Sequence, residues 1–389
     1  MLRGPKGLLA FGLFATLLSA AVSTNAPAQV DSKSKGKDDL STAKAVDIVT
    51  VDKVELKGKF YAAKAKDKDA PCVLMLHALG ESCDNKEWIN LARKLQDKNY
   101  AVLTFDFRGH GESTTVQPGM PNYKNQQLSV KGFWDEVANQ QNVKGYVYNK
   151  PRPTEIKYEN FGPGYWPYLA NDIAAAKAWL DEQADINSNN LILIGAKDGA
   201  TLGALWLNSE FHRFKNLNPM QPVQFARPDV QNPEGQAVAG CVWLTMSATA
   251  GTSKNSMDIR YMLDTPGKQF KVPMYFLYGQ GDDKGKTIAT TCEKFLASSD
   301  KDKKLTGAKM IEKAEKSSGK DLLLYDAAPV IVDYLELLPP SKMAKAPRAT
   351  GQEAYVWTVV LSNGRLQALL AKEPNSKWVV FSNYTSFLK

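Results

Sequence analysis

A run of four apolar residues, Leu191-Ile192-Leu193-Ile194, ends directly in Gly195-Ala196-Lys197-Asp198-Gly199-Ala200. Unbroken apolar character suits a strand buried on both faces of a parallel sheet. Small residues on either side of a charged pair suit a backbone that passes close to itself as it turns from strand to helix. Ala200 to Leu207 continues as that helix. A strand, a tight turn and a helix in this order restrict the chain to an α/β architecture, and they put the charged pair Lys197-Asp198 in the turn.

The surrounding sequence repeats the pattern. Asp47 to Asp52 and Val54 to Ala62 predict a leading antiparallel pair, and Cys72 to Leu76 and Ala101 to Phe105 are apolar strands. Between the latter two, Asn85 to Leu95 has Trp88, Ile89, Leu91, Ala92 and Leu95 at helical spacing. Tyr168 to Glu182 predicts a helix, Ala237 to Thr245 and Val272 to Tyr278 predict strands, and a helix is expected from about Thr287 to Leu296. Further on, Asp321 to Tyr325 reads as a strand, Val330 to Leu338 as a helix, Tyr355 to Leu361 as a strand, Leu366 to Lys372 as a helix and Trp378 to Phe381 as a last strand. The fold class is α/β, with a mostly parallel sheet flanked by helices. Residues 46–340 form the main domain, and a linker and small C-terminal α/β appendage cover 341–389.

Residues 112–165 break the rhythm. They are rich in Gly, Pro, Asn, Gln and Tyr, and a stretch this long without strong periodicity caps or binds something. Its aromatics, among them Phe133, Trp134, Tyr146, Tyr148, Tyr158 and Phe161, form either a small satellite core or the rim of a groove.

The first residues carry Arg3 and Lys6, followed by an apolar run from Gly7 to Val22 and by Ala26-Pro27-Ala28. This is the pattern of an export signal over 1–28 cleaved near Ala28, and the run is short for a full bilayer crossing. A polar tether at 29–45 follows. The expected location is periplasmic or extracellular, with no transmembrane segment in the mature chain. The formal charge of +8 is spread through mixed stretches such as Lys64-Ala65-Lys66-Asp67-Lys68-Asp69. Dispersed charge excludes a nucleic-acid footprint. Four cysteines, Cys72, Cys83, Cys241 and Cys292, have no metal-ligand spacing, and neither Gly109-His110-Gly111 nor Gly279-Gln280-Gly281 completes a dinucleotide motif. No cofactor and no metal are expected, and the composition fixes no oligomeric state.

Three motifs together resemble the α/β-hydrolase superfamily, in its dienelactone hydrolase-like and serine aminopeptidase-like branch. His77-Ala78-Leu79-Gly80 resembles the oxyanion loop, Asp106 to Ser113 resembles the turn after the following strand, and Gly195 to Gly199 resembles the nucleophile elbow. The resemblance covers residues 54 to 300. It implies a serine where Lys197 stands, an acid at Asp282, and a histidine after the last strands, where this chain has none. Its three histidines are His77, His110 and His212. A register one residue later puts Asp198 at the apex, the aspartate nucleophile of some dehalogenases in the superfamily, although these too need a late histidine. An ion pair of Lys197 with Asp282 is the expected occupant of the degenerate triad, and His77 and His110 are expected to serve local hydrogen bonding.

Two functional readings follow. The first is a secreted homologue without serine hydrolase activity, retained to bind a small molecule or an envelope protein. The second is a hydrolase of carboxylic esters or related acyl substrates that uses Lys197 or Asp198 with Asp282. A structural envelope component with only an inherited fold is a third.

Overall fold

The computed structural model describes residues 43–50, 52–65, 68–119, 132–148, 150–211, 213–216, 234–249, 259–297, 305–341, 354–360 and 366–370. The export segment, most of the tether, His212 and Trp378 to Phe381 lie outside them.

In chain order the strands and helices are β1 (Lys44–Val49), β2 (Glu55–Tyr61), β3 (Pro71–Leu76), α1 (Lys86–Asp97), β4 (Ala101–Phe105), α2 (Val137–Asn142), α3 (Ala170–Asp181), β5 (Asn187–Ala196), α4 (Asp198–Phe211), β6 (Arg213–Asn216), β7 (Val238–Leu244), α5 (Ile259–Leu263), β8 (Met274–Gly279), α6 (Asp283–Ala297), β9 (Gly307–Ile311), α7 (Ala327–Glu336), β10 (Ala354–Val360) and β11 (Leu366–Leu370). Eight strands form one sheet in the order β1-β2-β4-β3-β5-β7-β8-β9. The β1–β2 and β2–β4 pairs are antiparallel, and every pair from β4 to β9 is parallel.

The apolar strand runs are explained by two cores, one on each face. Cys72, Leu74, Leu76, Leu191 and Leu193 face one, while Val73, Met75, Ile192 and Ile194 face the other. Because successive side chains alternate, only a strand apolar at every position satisfies both. The four cysteines are buried free thiols.

The aromatics of 112–165 do not make a separate core. Phe133, Trp134, Phe161 and Tyr165 are buried in the same cluster as Leu103 and Phe105. What brings them there is a charge cage. Arg108 is fully buried and donates through Nε to Asp172 at 2.8 Å, through Nη1 to Asp52 at 2.6 Å and to the Tyr165 hydroxyl at 2.9 Å. Tyr165 donates to Asn139 at 2.7 Å, and Asn139 donates to Asp52 at 3.0 Å. Buried charges need such partners, and these tie the insertion to the turn after β1 and the turn after β4.

Two sequence expectations are corrected. Asp321 to Tyr325 is not a strand: Gly319–Leu324 is a 3-10 helix, entered at Gly319 with φ +61°, that buries Leu322 and leaves Leu324 65% exposed. Leu366 to Lys372 is not a helix over its described part, since β11 pairs antiparallel with β10, which pairs with β6. Leu-Gln-Ala-Leu-Leu favours helix locally, and strand pairing overrides that weak preference.

Candidate functional site

β5 lies inside the sheet between β3 and β7, so its carboxyl end opens between the loops that leave those strands. Crevices at the carboxyl ends of parallel strands are where open α/β sheets hold ligands. Lys197 is the apex here: its φ is +47°, a left-handed conformation that costs a non-glycine residue about 1–2 kcal/mol. The turn is held on both sides. Lys197 N–H donates to Leu244 O at 3.0 Å, and its carbonyl accepts from Thr201 N at 3.3 Å and Ser247 N at 3.4 Å. The glycines are required by close approach. A Cβ on Gly195 would sit 2.6 Å from Ala200 Cα, and one on Gly199 would sit 2.2 Å from His77 O.

The side chain of Lys197 lies along the loop after β9. A Cβ on Gly319 would meet Lys197 Cε at 2.9 Å and Cγ at 3.0 Å. Gly319 therefore leaves the room that the lysine stem fills. No described residue hydrogen-bonds or ion-pairs with Lys197 Nζ. Its charge bears on Glu81, which directly follows the His77–Gly80 loop. Burial pushes the Glu81 carboxyl up, and Lys320 and Lys197 draw it back down. Lys320 Nζ stands 3.8 Å from Glu81 Oε1 and 2.8 Å from Asp321 Oδ1, while the buried Glu81 Oε2 has no hydrogen-bond partner.

The expected Lys197 to Asp282 ion pair is absent among the described residues. Asp282 instead accepts the Gly285 N–H at 2.9 Å, capping the first turn of α6. Helix α6 accordingly begins about one turn earlier than its apolar spacing suggests. Asp198 is the first residue of α4, and its charge bears on Tyr158, whose hydroxyl is pushed up first by burial and then by Asp198.

The histidines are occupied elsewhere. His77 Nδ1 donates to Ala78 O at 2.7 Å and its Nε2 accepts from Phe107 N–H at 3.0 Å. Burial, then the neighbouring His110, lowers its pKa to about 4. His110 Nδ1 lies 2.9 Å from Arg108 O, its ring packs 4.4 Å from that of Tyr158, and burial lowers its pKa as well. His212 follows Phe211 at the far end of α4, which lies about 20 Å from the elbow by helical rise.

Glu81 and Lys320 were not distinguished by the sequence. Glu81 is one residue beyond a recognisable loop, but Lys320 carries no local signal: the loop after β9 crosses the end of β8 and brings the neighbouring Gly319 against Lys197. Among the described residues no group of three or more His, Cys, Asp or Glu side chains is placed to hold a metal ion, and no helix is long and apolar enough to cross a membrane. A cavity of about 350 Å³ lined by Phe211, Val238, Phe270 and Pro340 lies at the opposite end of the strands, beside the starts of β7 and β8.

Residues 71–130 match the family model described as alpha/beta hydrolase fold. Solved structures similar to this chain include a dienelactone hydrolase from Anabaena variabilis, at 15% identity over 76% of this chain and 94% of that one, with a TM-score of 0.43. A putative alpha/beta hydrolase of unknown function from Agrobacterium tumefaciens is 16% identical over 76% and 99% of the two chains, with a TM-score of 0.42. A Pyrococcus furiosus esterase is 14% identical over 77% and 94%, with a TM-score of 0.44. No curated protein matches the chain.

Proposed function

Since this chain is a member of the α/β-hydrolase superfamily with a lysine at its elbow, we propose that it is an exported, non-hydrolytic member that uses the carboxyl-end crevice to bind a ligand. The observation that carries the reading is Lys197 at the strained apex, with neither described imidazole, His77 or His110, hydrogen-bonded to it. A protonated amine is no nucleophile, and lowering its pKa takes desolvation or nearby cations. The described group on which the Lys197 charge bears is Glu81, a carboxylate and not a cation. Even a neutral Lys197 that attacked an ester would expel the alcohol and keep the acyl group as an amide, far harder to hydrolyse than the ester it replaced. Turnover would then stop after one event. Export is supported by the composition of residues 1–28, and an envelope protein is the alternative partner to a small molecule.

The test is turnover of short-chain aryl esters by the purified protein, beside Lys197→Ala and Asp198→Asn. The expected result is hydrolysis no faster than with heat-denatured protein in all three. Turnover lost in either variant would overturn the reading and select a hydrolase using Lys197 or Asp198 with Asp282.

A further inference from the structure

Both ring nitrogens of His77 are committed. A carbonyl oxygen only accepts, so His77 Nδ1, 2.7 Å from Ala78 O, carries the hydrogen. An amide only donates, so His77 Nε2, 3.0 Å from Phe107 N, is the bare nitrogen. A neutral imidazole has one acceptor, and the Phe107 amide occupies it. A second proton would set N–H against N–H. Asp106 Oδ1 lies 3.7 Å from the same nitrogen, and a charged ring would exchange the amide for this carboxylate, since charge-assisted bonds are the stronger ones.

His77, Asp106 and His110 are all buried. The carboxylate is anchored: Oδ1 accepts from Cys83 N at 2.7 Å, Oδ2 accepts from Glu112 N at 3.2 Å, and a Cβ on Gly111 would overlap it. The ring is therefore the part that moves, and its own carbonyl lies where a Cβ on Gly199 of the elbow would be. His110 packs its ring 5.4 Å from that of His77, and its buried Nε2 has no hydrogen-bond partner among the described residues. Asp106 and Glu159 draw a proton toward His110, while Arg108 offers it a carbonyl, its guanidinium being engaged in the cage. Burial pushes up the Cys83 thiol beside Asp106 and the hydroxyl of Tyr158, whose ring packs 4.4 Å from His110 and on which Asp198 also bears. Both groups stay neutral in acid.

We infer that His77 is an acid-operated latch between the 77–80 loop and the turn after β4, closed while its Nε2 holds the Phe107 amide and opened by a proton that turns the ring to Asp106 and loosens the loop beside the elbow. The latch acts on the border of the crevice whether or not a ligand binds there, so it stands apart from the non-hydrolytic reading. Burial first, then the neighbouring His110, hold His77 down at about 4 from 6.5. A histidine lowered by folding contributes stability that is present above 6.5 and lost as the pH falls toward about 4. The latch is shut at neutral pH and yields in acid.

The experiment is NMR of the purified protein labelled with nitrogen-15 at histidine and phenylalanine, titrated from neutral pH down through about 4. Asp-Phe occurs once in the sequence, at Asp106-Phe107, so carbonyl carbon-13 on aspartate singles out the Phe107 amide. The expected result is that the His77 ring becomes doubly protonated and the Phe107 amide loses its hydrogen-bonded shift in one transition, while Phe105 in β4 and Phe276 in β8 hold theirs. His77→Gln keeps an acceptor for that amide without a titrating group, and should abolish the Phe107 shift. His110→Asn keeps a donor for Arg108 O and removes the neighbouring imidazole, and should move the His77 midpoint to higher pH. Thermal melting at neutral pH confirms that each variant is folded, and the wild-type titration decides alone for one that is not. A His77 ring that titrates while the Phe107 amide stays put would overturn the inference. So would a Phe107 shift that persists in His77→Gln, or simultaneous loss of Phe105, Phe107 and Phe276, which is unfolding of the whole sheet.

Discussion

Two of the charged clusters in this domain are finished to different degrees. At Arg108, two carboxylates, a tyrosine and an asparagine close around one guanidinium, all of them buried. At Lys197 an ammonium sits on a strained backbone with no partner for its nitrogen among the described residues, near a carboxylate with one oxygen that has no hydrogen-bond partner among them. The first arrangement spends its polar groups on one another and fixes three segments in place. The second leaves an unmatched charge in the crevice where this fold holds ligands. Partner counting thus separates a closed cage from a charge left open more clearly than charge itself does.

The largest effect is expected where the cage is broken. Arg108→Met leaves Asp52 and Asp172 buried without their cation, which costs about 3–5 kcal/mol, read as a fall in the urea midpoint. A loss below ~1 kcal/mol would remove the distinction between the clusters.

The cage also has a pH signature. Burial pushes the Asp172 carboxyl up to about 6 from 3.8, against the pull of Arg108. Burial would raise Asp52 too, but Arg108 holds that carboxyl below its usual range. A carboxyl raised by folding stabilises the fold at low pH, and that contribution is lost as the pH rises through about 6. Asp52 behaves oppositely: its contribution is present above 3.8 and lost as the pH falls through its lowered value. The stability of the wild type relative to Asp172→Asn should therefore be greatest near pH 4 and decline toward pH 7. A difference that stays constant over this range would contradict the assignment.

A smaller effect, of opposite sign, is expected at the elbow. Lys197→Gly relieves the left-handed strain and should raise stability by up to ~1 kcal/mol, since glycine's greater freedom in the unfolded chain offsets part of the gain. A loss of 1 kcal/mol or more would mean that Lys197 is structural after all. The smallest shift belongs to Glu81→Gln, which keeps the shape and removes a charge already countered by Lys320. Its melting temperature should move by no more than a few degrees, and a large drop would show that Glu81 is as tightly integrated as Asp52.

The sheet was legible in the sequence because β3, β7 and the 191–196 part of β5 are buried on both faces and so stay free of polar side chains. The elbow was legible because its close approaches demand small residues at 195, 199 and 200. The cage was not: Asp52, Arg108, Asn139, Tyr165 and Asp172 are far apart in the chain, and each looks like an ordinary surface residue until the fold brings them together. The same holds for Lys320, which the loop after β9 brings to Glu81. Asp282 misled because its place after β8 suits both a family acid and a helix cap. The geometry shows the cap.

The most direct test of the central claim, that Lys197 binds and does not react, is residue-resolved mass spectrometry after brief exposure to an activated aryl ester at neutral pH. Acylation of Lys197 no faster than that of an exposed lysine such as Lys284 is the predicted result. Rapid stoichiometric acylation of Lys197, or an acyl adduct on Asp198, would contradict it.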